Sequence, residues 1–109
     1  VNWQIDWVMR TQNIFNTVIN STVTAGTLRI ALQVQPTGAN FIITLYKNGV
    51  SEGTATITTA QSATNGWYQA TLASFTSWSY VAGDIVSADI TQIGSSVPGS
   101  NLIFDFISA

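Results

Sequence analysis

Apolar and polar residues alternate with a period of two along most of this chain. In Thr27–Gly38, Leu28, Ile30, Leu32 and Val34 alternate with Thr27, Arg29, Ala31 and Gln33. In Ala39–Val50, Phe41, Ile43 and Leu45 repeat the pattern, with Thr44 and Tyr46 on the other face. A period of two marks a strand with one buried face. Pro36-Thr37-Gly38 closes the first strand, because proline cannot donate to a ladder and glycine tolerates a positive φ. Asn48-Gly49 closes the second and is the strongest short-range hairpin signal in the chain.

The same reading extends outward. Val1–Arg10 puts Trp3, Ile5, Trp7 and Met9 on one face, which suits a core strand, a subunit contact or a ligand platform. Ile14–Thr24 sets Phe15, Ile19 and Val23 against Asn16 and Asn20, and Thr54–Thr59 is a weak strand suited to an edge. Trp67–Phe75 places Tyr68, Ala70 and Leu72 together, whereas Thr76–Tyr80 is irregular. In Ile85–Ile93, Val86, Ala88 and Ile90 point inward. The terminal run sets Leu102, Phe104 and Phe106 against Ile103, Asp105 and Ile107, apolar on both sides. Such a strand is buried on both faces or lies at a subunit contact. Ile103, Phe104 and Phe106, with Trp3 and Trp7, are therefore the candidate interface residues. Eight strands with turn signals between them and no helical stretch predict an all-β antiparallel β-sandwich, a jelly roll of about eight strands. The missing Cys–Trp–Cys framework leans away from an immunoglobulin-like sandwich.

Composition narrows the chemistry. The 109 residues suit a single β-sandwich domain over 1–109. Only 7% of residues are charged, against about 25% in an ordinary soluble domain. Ser, Thr, Asn and Gln, 41 residues in all, take their place. Two readings fit such a surface: a virion or extracellular protein suited to variable ionic conditions, or a surface partly covered by an oligomer. Cysteine and histidine are both absent, which removes thiolate and imidazole metal sites and His-based catalysis. Arg10, Arg29 and Lys47 are the only basic residues, too few for a phosphate-neutralising patch, so nucleic acid is not an expected partner. No apolar run reaches the length of a membrane span of about 18 residues. The start at Val1, without a Met or a signal-like leader, suggests a fragment or terminal domain of a longer protein.

The carboxylates are Asp6, Glu52, Asp84, Asp89 and Asp105; a glycosidase needs two of them facing each other across a sugar ring, and Asp84 and Asp89 are candidates only by elimination. Asp84 follows Gly83 at a turn, where a short acceptor bonds nearby backbone N–H groups. Hydroxyls are abundant but lack a base to activate them. No enzyme, cofactor or metal is expected. The aromatics are the better lead: Trp67, Tyr68, Trp78 and Tyr80, with the amides of Asn65 and Gln69, are the candidate ligand-binding residues. Indole faces stack on sugar rings while amides bond hydroxyls. The alternative is that these rings pack the core or a trimer axis.

Pro36-Thr37-Gly38, the run LYKNG at 45–49, Ala82-Gly83-Asp84 leading into IVSADITQIG at 85–94, and PGSNLIFDF at 98–106 together resemble small β-sandwich domains of tailed-bacteriophage virion and tail-fibre proteins. The resemblance runs from about Gly26 to Phe106, and the segment from Val1 to Thr24 fits it less well. It implies a structural, non-enzymatic role in the virion, assembly as a homo-oligomer with a trimer favoured, and contact with host-surface polysaccharide. The shared motifs are scaffold turns, not a binding site. The reading from another class is a carbohydrate-binding module that stacks sugars on exposed Trp and Tyr.

Overall fold

Among the described residues the chain forms nine strands: β1 (Asn2–Val8), β2 (Gln12–Val18), β3 (Val23–Val34), β4 (Phe41–Lys47), β5 (Val50–Ile57), β6 (Tyr68–Gln69), β7 (Trp78–Tyr80), β8 (Ile85–Gln92) and β9 (Ser100–Ile107). The computed structural model describes residues 2–20, 22–70 and 78–107, of which 2–8, 23–28, 78, 106 and 107 are described as backbone only. Every pairing among the described strands is antiparallel. One sheet runs β1-β9-β3-β6, with β7 also paired to β3; the other runs β2-β8-β4-β5.

That order is the connectivity of a jelly roll. β6 pairs with Ala31 and Leu32, and β7 with Val23 and Gly26, so the two short strands serve successive parts of β3. Counted as one strand position, they give eight positions in two Greek keys, the chain crossing between the sheets at every connection except the β4-β5 hairpin. The sequence pattern expects one strand over 67–75; the described strand there is two residues long, and 71–77 lie outside the described residues.

The core lies between the sheets. Ile30, Leu32, Phe104 and Leu102 face it from one side, and Phe41, Ile43, Leu45, Val86, Ala88 and Ile90 from the other, each no more than 2% exposed. The Phe15 and Phe104 rings meet across the interior, 5.2 Å between centroids and tilted by 36°. The period-two alternation thus finds the core of β4, β8 and β9. It overreaches at Val34, the last residue of β3, which is 42% exposed. Phe104, expected at an interface, is a core residue. The strand that carries it lies between β1 and β3, so its inner face meets the opposite sheet while Ile103 and Asp105 face outward.

Candidate functional site

A shallow groove of about 230 Å³ opens on the outer face of the β1-β9-β3-β6 sheet. Its floor follows from strand register. Ala31 stands opposite Ile103 across β3 and β9, and Arg29 stands opposite Asp105 one step further along. Gln69 of β6 stands opposite Ala31 on the other flank. Because alternate residues of a strand share a face, Arg29 and Ala31, Ile103 and Asp105, and Gln69 gather on one surface.

The groove wall comes from the turn before β6. Thr64 N–H donates to Trp67 O at 2.8 Å, and Trp67 N–H to Thr64 O at 3.0 Å. Between them Asn65 and Gly66 have φ of 54° and 83°, the left-handed pair of a two-residue type I′ turn. This tight return sets Trp67, half-buried, and Asn65, exposed, against the sheet face. Gln61 braces the segment: its amide donates to Gln69 O, its carbonyl oxygen accepts the Thr58 N–H at 2.9 Å, and its backbone oxygen accepts from Gln35 Nε2 at 2.9 Å.

The charges in the groove are not spent on each other. Arg29 is exposed and Asp105 half-buried, yet among the described residues the one ion pair lies elsewhere, between Lys47 and Asp84 at 3.8 Å. A guanidinium, a carboxylate, two amides and the Thr64 hydroxyl therefore border an indole and the Ile103 side chain. That set can stack a flat apolar ring and bond hydroxyls around it, with donors and acceptors both on offer.

A second polar cluster sits at one end of the other sheet. Asn48, in the turn between β4 and β5, donates to Asp84 Oδ1 at 3.0 Å and accepts the Ile85 N–H at 2.9 Å. Asp84 Oδ2 accepts the Val81 N–H at 3.0 Å. Lys47 Nζ donates to Ser79 O at 3.3 Å and lies 5.8 Å from the Tyr80 ring centre. The Val81 N–H first, then the Asn48 amide and the Lys47 charge, hold Asp84 below its usual range, against some desolvation. Burial, reinforced by the Glu52 and Asp84 carboxylates, pushes the Tyr80 phenol above its ordinary value. Lys47, Asn48 and Asp84 each bind another part of the chain, so the cluster is a clasp joining two turns.

Of the residues singled out as ligand-binding, the structure brings Asn65, Trp67 and Gln69 together in the groove. Tyr68 alternates to the other side and packs against the core. Tyr80 is 1% exposed, in the core, and offers no face to a ligand. The side chains of Trp78, Trp3, Trp7 and Phe106 lie outside the described residues; β1 itself is an edge strand paired with β9. Ile103 lines the groove. Arg29 and Asp105 were not among the sequence candidates for binding, and the signal that unites them is long-range: the register of β3 on β9.

Compared with known proteins, the chain matches no protein-family model, no curated protein and no solved structure.

Proposed function

We propose that this protein is a non-enzymatic recognition domain of a virion fibre, which self-associates and contacts host-surface glycan through the Trp67 groove. The observation that carries this reading is the groove itself: an indole set beside Asn65, Gln69, Arg29 and Asp105 on an open sheet face. At about 230 Å³ it falls below the roughly 300–1,000 Å³ of a pocket that engulfs a drug-sized molecule. An open surface of that size suits one or two sugar rings of a longer chain. The virion setting rests on the resemblance of the turn and strand motifs, and on the use of jelly rolls in capsid and lectin domains. Self-association is supported by Val18 and Ile85, directly opposite each other on β2 and β8 and 55% and 52% exposed.

The test is a glycan panel read against wild type and Trp67→Ala, with mass in solution measured from micromolar to nanomolar chain. The variant is expected to lose binding by at least about tenfold, as loss of a stacking indole does, while keeping its fold. A panel without a binder, or a binder indifferent to Trp67, overturns the groove reading. A second reading, a carbohydrate-binding module outside any virion, is favoured by one fact: the groove is complete on a single chain. Glycan binding by a monomer selects it, and a stable oligomer at high dilution selects the fibre.

A further inference from the structure

The chain contains two Asn-Gly turns of the same type whose side chains are held very differently. Asn48 and Gly49 have φ of 51° and 81°, and Asn65 and Gly66 have 54° and 83°. Asn48 is tied at both ends of its amide, to Asp84 Oδ1 and to the Ile85 N–H, and its own N–H bonds Ile85 O at 2.7 Å. It also caps a long hairpin, in which β4 and β5 pair from Lys47–Val50 to Phe41–Ile57. Asn65 is exposed, its amide makes no hydrogen bond among the described residues, and its turn is closed by the single Thr64–Trp67 bridge. Gly66 offers open space: a Cβ built there would meet nothing within 4 Å.

We propose that Asn65 is a site of spontaneous deamidation in the folded protein, and that Asn48 is protected from it. The Gly66 backbone nitrogen attacks the Asn65 side-chain carbonyl carbon, forming a C–N bond. Ammonia leaves with the side-chain nitrogen, and a five-membered succinimide remains. Water then opens the ring at either carbonyl, giving aspartate or isoaspartate at position 65; no oxidant or reductant is involved. A glycine on the C-terminal side puts no side chain in the way of the attack. What limits the reaction is the turn, since the Asn must leave its left-handed conformation to bring its carbonyl to the next nitrogen. Opening a turn closed by one bridge costs less than opening one held by two side-chain bonds and a full ladder. The product places a carboxylate at the rim of the groove, near Asp105, and isoaspartate also lengthens the backbone of a two-residue turn. If the groove binds glycan as proposed above, aged protein binds it more weakly; the modification itself does not depend on that reading.

The experiment is peptide mapping by mass spectrometry of native protein held at mildly alkaline pH, with isoaspartate identified by enzymatic methylation. In parallel the chain is incubated unfolded in urea. Asn65 is expected to convert about tenfold or more faster than Asn48 when folded, and at a similar rate when unfolded, because local opening alone separates them. Asn65→Gly keeps a turn-compatible residue at positive φ and removes the signal from that peptide, while Asp84→Ala, which frees one of the two ends of the Asn48 amide, raises the Asn48 rate. Equal rates in the folded protein, or an Asn65 that reacts only when unfolded, overturn the proposal. Glycan binding is not a readout, so a failure here and a failure of the groove reading are told apart.

Discussion

The outer face of the β2-β8-β4-β5 sheet and the groove on the other sheet spend their polar groups in opposite ways. On the β2-β8-β4-β5 sheet they bind one another. Thr44, 8% exposed, shares a 2.9 Å hydrogen bond with Thr91, and Asn13 bonds Asp89 at 2.8 Å and Asn16 at 3.2 Å. On the β1-β9-β3-β6 face Asn101 donates to Gln33 at 2.8 Å, but in the groove Arg29 and Asp105 stand directly opposite without pairing, beside an indole and a small alanine floor. Buried polar groups must be satisfied internally or they cost stability. A face whose polar groups are left over is one on which stability has little claim. The difference says where to look for function without naming a ligand: the bonded sheet face holds the fold, and the groove's unpaired groups are free to meet something else.

Substitutions can break or sharpen that contrast. The largest effect is expected within β9, where inner and outer residues alternate. Phe104→Ala removes a fully buried ring that packs on Phe15 and should cost about 3–5 kcal/mol in urea unfolding. Next comes the satisfied sheet. Thr91→Val leaves the buried Thr44 hydroxyl without its partner and should cost about 1 kcal/mol by the same measurement.

The clasp adds a pH signature smaller than the core effect. Asp84 is held below its ordinary value of 3.8 by the Val81 N–H, Asn48 and Lys47. A carboxylate with a depressed folded pKa contributes stability that is present above its unfolded value and is lost as pH falls through the folded one. Asp84→Asn should therefore lower the unfolding midpoint at neutral pH. The gap from wild type should close as pH drops below the ordinary carboxylate range. A gap that stays constant in acid would show that the charge is not what the clasp uses. The smallest effects belong to the groove: Arg29→Gln and Asp105→Asn should each stay within about 0.5 kcal/mol of wild type. A clear loss from either would mean that these residues are structural, and the contrast between the faces would fail.

Much of this architecture was legible in the sequence, for a physical reason. Where one face of a strand is buried, alternation must track the pleat, as Phe41, Ile43 and Leu45 or Val86, Ala88 and Ile90 do. Turn chemistry was equally plain, since few dipeptides besides Asn-Gly supply two positive φ values without strain. Half of the groove could be read because Asn65, Trp67 and Gln69 are neighbours in the chain. The other half could not. Arg29, Ile103 and Asp105 reach it only through strand pairing between distant segments, and no local pattern encodes that register. Tyr80 shows the converse limit. Its surroundings in TSWSY have no clear period, so nothing local tells that its ring lies in the core, with Lys47 above it.

The pairing of first and last strands has a mechanical consequence. β1 is an edge strand, and its beginning lies beside the end of β9, with Asn2 opposite Asp105 and Trp3 opposite Phe104. Tension applied through both ends of the chain would pull on the same end of one antiparallel ladder. Hydrogen bonds loaded in that geometry give way singly, like a zipper, rather than together as in shear. β1 would peel from β9 at low force while β3, on the far side of β9, kept the rest of the sheet in place. A pull between one chain end and the groove would instead be carried by the body of the sandwich.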